Sequence, residues 1–405
     1  MSAPPDPGAR PARIVSVDAL RGFDMLWIIG GEQVAKALEP LGGGPIMAAF
    51  AHQFTHVQWE GCHFFDVIFP LFLFLVGVSI VLSLDRTRAE AGSRGALIRI
   101  ARRSALLFVV GIFYYGGLSK AWPDVQLAGV LPRIALCYLA AATLYLVLPR
   151  RGIVIAATLC LVGYWALLTF VPFPDVRLEH SNTGKRGSQA AAESPAKLLA
   201  KVTTTVRGTY EEGHNLTHYV DFRYLPGKQR NLYYTNEGLL STIPAIATTL
   251  FGIMAGWLLL STQLTGRQKV AWLVGAGAVG VGLGLVWGLQ CPIIKRLWTP
   301  SYCLLASGIS AMMLGVFYLL IDVWNWRQWC VPLLWIGTNA LTVYLADNLV
   351  DFGAIAARFV GGDLKLFLDT SFTQGLGGLL IALVALLLPV LLMRFLFQRK
   401  IFIRL

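Results

Sequence analysis

The sequence predicts an all-α polytopic membrane protein, a bundle of about ten transmembrane helices with one long extracytoplasmic loop. Composition carries this prediction. Of the 405 residues, 56% are hydrophobic and only 14% are charged, whereas about 25% of the residues are charged in a typical soluble domain. A soluble chain of this length needs more polar residues on its water-facing surface, and a lipid bilayer removes that requirement.

The apolar runs divide the chain into predicted spans. Each span has roughly 20 residues, enough to cross a hydrocarbon core of about 30 Å at 1.5 Å per residue. They cover residues 18–38, 63–84, 98–117, 127–148, 152–172, 238–260, 270–290, 302–322, 331–350 and 374–396. The predicted organisation is a disordered cytoplasmic N-terminus (1–14), helices 1–5 (15–172), an extracytoplasmic loop (173–237), helices 6–10 (238–398) and a basic cytoplasmic tail (399–405).

Positive charge predicts the orientation. The net charge is +12, and Arg and Lys concentrate on connectors that fall on one side of the predicted bundle. Cytoplasmic loops are enriched in these residues, so both termini are predicted to be cytoplasmic and the 173–237 loop to face outward. This charge requires no nucleic-acid partner, and no nucleic-acid binding is expected. The six cysteines form no CxxC pair and no Cys/His metal spacing.

Ionisable residues in the first predicted span are functional candidates because charges are costly at membrane depth. Asp18 and Arg21 are three residues apart, so they form a predicted intrahelical ion pair. A helix-entry cap with a snorkelling arginine explains them equally well. Glu32 follows the Gly30–Gly31 pair close to the outer leaflet, where a functional role is favoured over a structural one.

Imidazole and carboxylate groups crowd the chain around the start of the second predicted span. They are His52, His56, Glu60, His63 and Asp66. Imidazole titrates near neutrality and a neighbouring carboxylate raises its basicity, so this cluster is a candidate acid–base site. A metal site is the weaker interpretation because no second ligand cluster follows. Solvated histidines at the membrane interface are the structural alternative for each imidazole.

Polar residues near the ends of later spans extend the candidate site. Arg133 lies inside the fourth span, and Glu237 lies at the entry to the sixth. Lys295 and Trp298 belong to a short outer loop, where an aromatic anchor at the membrane interface also explains the tryptophan. Asn339 lies inside the ninth span, where an amide that joins two helices is the alternative.

Six sequence blocks, in this order, resemble the family of heparan-α-glucosaminide N-acetyltransferase and its bacterial relatives. The blocks are RIVSVDALRG, HVQWEGCHFFDVIFPLFLFLVGVSI, AGVLPRIALCY, NEGLLSTIPAIATTLFGIMAG, IIKRLWTPSYCLLASG and WIGTNALTVYL. The second block is the most specific, with its motif at His56, Trp59, Gly61, Asp66, Phe69 and Pro70. The resemblance covers most of the chain.

The resemblance implies a transmembrane acetyltransferase that uses cytoplasmic acetyl-CoA and acetylates a glucosamine-type sugar across a bacterial inner membrane. The family's active-site histidine corresponds to His56, and the predicted catalytic residues are His56, Glu32 and Asp66. The predicted cofactor-binding residues are Arg21, Arg102, Arg103 and Arg133, the predicted substrate-binding residues are Trp59, Glu237, Lys295, Trp298 and Asn339, and no metal is expected. The animal enzyme has an Asn near the Glu32 position, which leaves open how Glu32 and His56 divide the work.

Other functions remain open at this point. The same chemistry on a hydroxyl group makes an O-acetyltransferase of an envelope polysaccharide, and buried charges in Gly/Pro-broken spans are also typical of a sugar transporter. Direct transfer and an acetyl-His56 intermediate are both compatible with the residues. The 173–237 loop is a candidate lid or acceptor-binding cap. Expected partners are the lipid bilayer, acetyl-CoA and an amino sugar or glycan, and family analogy adds a homodimer.

Overall fold

The computed structural model describes residues 14–42, 44–122, 124–178, 195–200 and 202–403. Within these ranges, seven helices are long and apolar enough to cross a membrane, or eight if one bent pair forms a single span. The sheet is limited there to β1 (Phe173–Pro174) and β2 (Thr205–Val206), which pair antiparallel. The predicted all-α polytopic membrane fold is confirmed. The predicted disordered segment 1–14 lies outside the described residues except for its last residue.

The helices follow the predicted order. The first half contains α1 (Val15–Leu26), α2 (Glu32–Leu38), α3 (Gly44–Gln53), α4 (Phe64–Tyr114), α5 (Val130–Val147) and α6 (Arg150–Phe170). The predicted outer loop contains α7 (Pro195–Ala200) and α8 (Leu216–Tyr224). The second half contains α9 (Thr242–Leu260), α10 (Gly266–Gly288), α11 (Pro300–Tyr318), α12 (Val331–Gly337), α13 (Ala340–Leu349), α14 (Phe352–Val360), α15 (Asp363–Ser371) and α16 (Leu376–Gln398).

Helix α4 contains two predicted spans, 63–84 and 98–117, joined at Gly92. This glycine has a φ of +69°, a left-handed conformation that other residues rarely adopt. The guanidinium of Arg99 lies 3.1 Å from the hydroxyl of Thr87, although the two residues would be about 18 Å apart along a straight helix. The chain therefore reverses at Gly92, and α4 consists of two neighbouring spans.

Two other predicted spans are broken helices. The first is formed by α1, a π turn at Trp27–Gly31 and α2. The ninth is divided between α12 and α13, with Thr338 and Asn339 between them. These breaks, together with the reversal in α4, account for the difference between about ten predicted spans and seven long helices. The predicted connector at 351–373 is itself helical and forms α14 and α15.

Close helix contacts hold α4 in the centre of the bundle. Gly77 of α4 faces Gly252 of α9, and a Cβ atom at either position would collide with backbone of the other helix. Gly277 of α10 and Gly308 of α11 meet in the same way. Small residues let membrane helices approach closely, and van der Waals contact between them then stabilises the bundle.

Helix α8 connects the predicted outer loop to the membrane helices. Asn215 caps α8 by accepting the backbone N–H of His218 at 2.9 Å. On α6, the buried hydroxyl of Tyr164 donates to the Leu297 carbonyl at 2.6 Å and lies 2.9 Å from the Thr217 hydroxyl. The end of α6, helix α8 and the connector before α11 are therefore packed together.

Candidate functional site

The carboxylate of Asp66 organises the segment between α3 and α4. Asp66 is in the first turn of α4 and is 1% exposed. It accepts the backbone N–H groups of Val57 at 3.2 Å and His63 at 3.0 Å. Its other oxygen lies 2.8 Å from Nδ1 of His56, whose side chain is 51% exposed. A buried carboxylate therefore orients an imidazole that remains open to solvent.

Lys295 completes this contact from a distant part of the chain. Its Nζ atom lies 3.1 Å from Asp66 Oδ1 and 3.0 Å from His56 Nδ1. Burial lowers the pKa of the Lys295 ammonium, and the negative charge of Asp66 opposes this shift. The ammonium compensates the charge of the buried carboxylate, which would otherwise be costly.

Backbone contacts hold the two loops of the site in register. The N–H of Gly61 donates to the Ile293 carbonyl at 2.8 Å, and Gly61 has a φ of +118° that favours glycine. The buried hydroxyl of Tyr302, on α11, donates to the Asp66 backbone carbonyl at 2.7 Å. The His56 and Lys295 loops are thus joined by main-chain as well as side-chain contacts.

The contacts of His56 favour one tautomer of its imidazole. With its hydrogen on Nδ1, the imidazole donates to Asp66, and Lys295 then donates to the same carboxylate rather than to the ring. This leaves an unprotonated Nε2. In this arrangement His56 is able to accept a proton, and Asp66 stabilises the imidazolium that forms.

Trp298 and Arg133 form a buried wall of the site. Trp298 is 1% exposed, so it is not an anchor in the lipid interface. It has a φ of +53°, which is uncommon for a bulky residue and is maintained by its surroundings. The Arg133 guanidinium carbon lies 5.1 Å from the Trp298 ring centroid, and the guanidinium donates to the Gly238 carbonyl and the Ser241 hydroxyl. Arg133 therefore lies beside the Lys295 loop and not with the other predicted cofactor-binding arginines.

Glu237 places a second carboxylate near Lys295. It is partly buried, and within the described ranges it accepts no hydrogen bond and lies in no ion pair. Its negative charge acts on Lys295 and favours the charged form of the ammonium group. This carboxylate is open to a ligand that carries a positive charge or a hydrogen-bond donor.

The predicted outer loop covers part of the site through Trp59. The indole Nε1 of Trp59 donates to the Tyr210 carbonyl at 2.8 Å, and its ring is 5.7 Å from that of His218. Arg296 forms an ion pair with Glu212 in the same loop. Sequence reasoning missed these loop residues. The available signal was the density of Tyr, His and acidic residues at 209–224.

Glu32 is near the site without joining its hydrogen-bond network. Its carboxylate forms an ion pair with Lys36 at 2.5 Å. In the same helix, Ala35 packs in a cluster with Phe54 and Phe65, and Phe65 contacts the His56 ring. The structure therefore brings Glu32 to the end of the bundle that carries His56.

The other predicted residues lie apart from His56. Arg21 binds Asp18 at 3.2 Å and the Ser79 hydroxyl at 2.7 Å. Arg103 stacks on the Tyr138 ring at 4.8 Å, and Arg102 is exposed. The Asn339 amide donates to the Ile401 carbonyl and accepts the Ile403 N–H, both at 3.2 Å, so it binds the C-terminal tail.

No group of three or more His, Cys, Asp or Glu side chains suited to a metal ion occurs in the part of the chain that the structure describes. The expectation of a metal-free site therefore stays a prediction. The acid–base pair His56–Asp66 with Lys295 is what the geometry offers for chemistry.

Two curated proteins with the same name are similar to this chain. The chain is similar to human heparan-α-glucosaminide N-acetyltransferase, with 27% identity over 383 residues, which is 85% of this chain and 54% of the human protein. The mouse enzyme of the same name is 25% identical over 379 residues, covering 84% and 54%. The resemblance seen in the sequence is confirmed. Over most of its length the chain is similar to heparan-α-glucosaminide N-acetyltransferase.

The matches cover only part of the curated relatives, and the family model covers only part of this chain. The chain spans about half the length of the curated relatives it matches. Residues 13–149 also match a family model described as a domain of unknown function, DUF5009. That region includes α1 to α5 and therefore both His56 and Asp66.

Proposed function

We propose that this protein is a transmembrane acetyltransferase that moves an acetyl group from cytoplasmic acetyl-CoA to the amine of a glucosamine-type sugar on the extracytoplasmic side. The observation that carries the proposal is the His56 imidazole, which is exposed on one side and held on the other by buried Asp66 at 2.8 Å. The similarity to named N-acetyltransferases supports the reaction class.

The unprotonated Nε2 of His56 determines the order of the proposed steps. The amine nitrogen attacks the thioester carbonyl carbon, a C–N bond forms, and His56 Nε2 takes the proton that the nitrogen loses. The C–S bond then breaks, and the sulfur leaves with the electron pair. The imidazolium returns its proton to that sulfur, so the products are an N-acetyl sugar and the free thiol of CoA.

The positions of the charged groups support two-sided access. Asp85 lies nineteen residue steps after Asp66 along α4, a distance of about 28 Å, which is close to the thickness of the hydrocarbon core. Arg21, Arg102 and Arg103 are the residues that would hold the CoA phosphates, because guanidinium groups form charge-assisted hydrogen bonds with phosphate oxygens. Cytoplasmic termini in a bacterial inner membrane place these arginines on the CoA side.

Glu237 favours an amine acceptor over a neutral hydroxyl. The amino group of an amino sugar is largely protonated when it arrives, and the open Glu237 carboxylate near Lys295 offers it a partner. Proton loss to Glu237 or to Glu32 before attack leaves the free amine. Trp59, with its indole held by the outer loop, supplies an apolar surface for the sugar ring.

Free-thiol release from acetyl-CoA by the purified protein tests this proposal. The acceptor panel includes glucosamine, neutral sugars of the same ring size and oligosaccharides that end in glucosamine. Release with the amino sugars alone supports N-acetylation. Release with the neutral sugars identifies an O-acetyltransferase, and sugar uptake into vesicles without thiol release identifies a transporter.

A further inference from the structure

A cavity of about 530 Å³ lies beside the first span of α4, close to the reversal at Gly92 and about one span away from the His56 loop. Its walls come from α4, α5, α6 and the end of α9 with the connector after it. The lining residues that carry its chemistry are Asp85, Arg88, Tyr145, Arg150, Trp257 and Ser261. None of these residues has a part in the proposed transfer reaction.

Two guanidinium groups of this cavity are available to an anion. Arg88 has no hydrogen bond or ion pair with any residue in the described ranges, whereas the nearby Arg86 is paired with Glu90 at 2.6 Å. The Arg150 guanidinium lies over the Trp257 ring at 5.5 Å from its centroid. Stacking orients the Arg150 group while leaving its N–H donors free.

The cavity also contains a hydrogen-bond acceptor. Asp85 is exposed, and one of its carboxylate oxygens accepts the Tyr145 hydroxyl at 2.8 Å. Its other oxygen is available to a hydroxyl or amino group. The two arginines and one aspartate leave a net positive charge, so the cavity matches a phosphate group with a hydrogen-bond donor beside it.

The surroundings indicate that such a ligand arrives from the membrane. A packed cluster containing Ile80, Ala141 and Leu250 lies among the same helices and adjoins the cavity at Val81, which belongs to both. Val147 and Ile155, on the two helices α5 and α6 that meet at the cavity, are apolar side chains with 68% and 58% exposure. Tryptophan, tyrosine and arginine at the end of a membrane bundle are typical of the headgroup region.

We propose that this cavity binds the headgroup of an anionic phospholipid, with Arg88 and Arg150 on the phosphate and Asp85 on a headgroup hydroxyl. Trp257 and Tyr145 pack against the glycerol backbone. The nucleotide part of CoA also carries phosphate and hydroxyl groups. The experiment must therefore distinguish a bound lipid headgroup from bound CoA.

The test compares lipids and a nucleotide on the purified full chain. Phosphatidylglycerol, phosphatidylcholine and adenosine 3′,5′-bisphosphate are titrated separately onto wild type, the double variant Arg88→Gln/Arg150→Gln and the control Arg94→Gln. Arg94 is exposed near the same end and does not line the cavity. Thermal unfolding and native mass spectrometry report binding, and circular dichroism confirms that each variant is folded.

We expect wild type to bind phosphatidylglycerol at least about tenfold more tightly than phosphatidylcholine, and the double variant to lose this preference. The control should retain it. An equal loss in Arg94→Gln, or no loss in the double variant, overturns the proposal. Binding of the nucleotide that depends on Arg88 and Arg150, without lipid preference, assigns the cavity to CoA and overturns the lipid headgroup. Acetyl transfer is not part of this readout, so the proposed reaction is judged separately.

Discussion

The two ends of the helix bundle use charged residues in different ways. At one end, His56, Asp66 and Lys295 share a single connected network with distances of 2.8 to 3.1 Å. At the other end, Arg21 and Arg103 have separate partners on different helices. A network that converges on one imidazole is suited to moving a proton, whereas dispersed guanidinium groups are suited to binding an extended anion.

Replacement of His56 should produce the largest effect. His56→Ala removes the proposed general base, and we expect acetyl transfer to fall about 10³-fold, within the range known for such groups. Thiol release under saturating acetyl-CoA measures the loss. His52→Ala is the matched control because His52 is an exposed imidazole on α3 that contacts the His63 ring and not Asp66. A similar loss in the control, or near-normal turnover in His56→Ala, would place the chemistry elsewhere.

Replacement of Lys295 tests whether the network acts as one unit. Lys295→Met leaves the Asp66 charge without its nearest cation, and we expect a loss of about 10²-fold in turnover. Burial lowers the pKa of Lys295. As the pH rises, the ammonium therefore loses its charge at a lower pH than a lysine with the usual pKa of about 10.4. The activity of wild type should therefore fall at a lower alkaline pH than it would if Lys295 had the pKa of a free lysine. A pH–rate profile of Lys295→Met that retains this alkaline limb contradicts the assignment.

Replacement of Glu237 separates amine recognition from acid–base chemistry. Glu237→Gln removes the charge while keeping the size, and we expect KM for glucosamine to rise about tenfold with little change in KM for acetyl-CoA. Steady-state kinetics with both substrates measures the two constants. An equal fall in kcat for every acceptor, without a change in KM, shows instead that Glu237 acts in the transfer step.

The predicted outer loop offers the smallest effect, which is on the stability of the fold. Burial raises the pKa of Asp221 to about 7, against an unfolded value of about 3.9. The neutral Asp221 carboxyl therefore contributes to the free energy of unfolding in full below about pH 4, and this contribution is lost as the pH rises through 7. Asp221→Asn keeps an acceptor for the Leu239 N–H and cannot ionise. Its Tm should exceed that of wild type by about 2–6 °C at pH 8 and by less at pH 5; a difference that does not change with pH rules out this titration.

Local spacing predicted one part of the site well. His56 and Asp66 are ten residues apart, so the sequence alone presents them as a pair, and their contact at 2.8 Å requires only a loop that folds back on α4. The fold class was also predictable, because a high proportion of hydrophobic residues and few charges indicate helices that lie in lipid. Breaks inside a single span were harder to predict, since the Gly30–Gly31 pair differs little in sequence from the glycines inside straight helices.

Long-range contacts account for what the sequence did not predict. Lys295 is 229 residues from Asp66, and nothing local indicates that the two form an ion pair. Asn339 was predicted to bind substrate, yet its amide binds the tail at Ile401 and Ile403 because α12 packs against α16. Trp298 has the composition of an interface anchor, and only packing against Phe69, Tyr302 and Arg133 makes it a buried residue.

Transfer across the bilayer is the central claim, and sealed proteoliposomes test it most directly. Glucosamine is trapped inside, and acetyl-CoA labelled in its acetyl group is added outside, with wild type and His56→Ala compared. The account predicts labelled N-acetylglucosamine inside the wild-type vesicles and none with His56→Ala. Product that forms only when detergent has opened the vesicles before acetyl-CoA is added, or equal product in both proteins, would contradict transfer from one end of the bundle to the other.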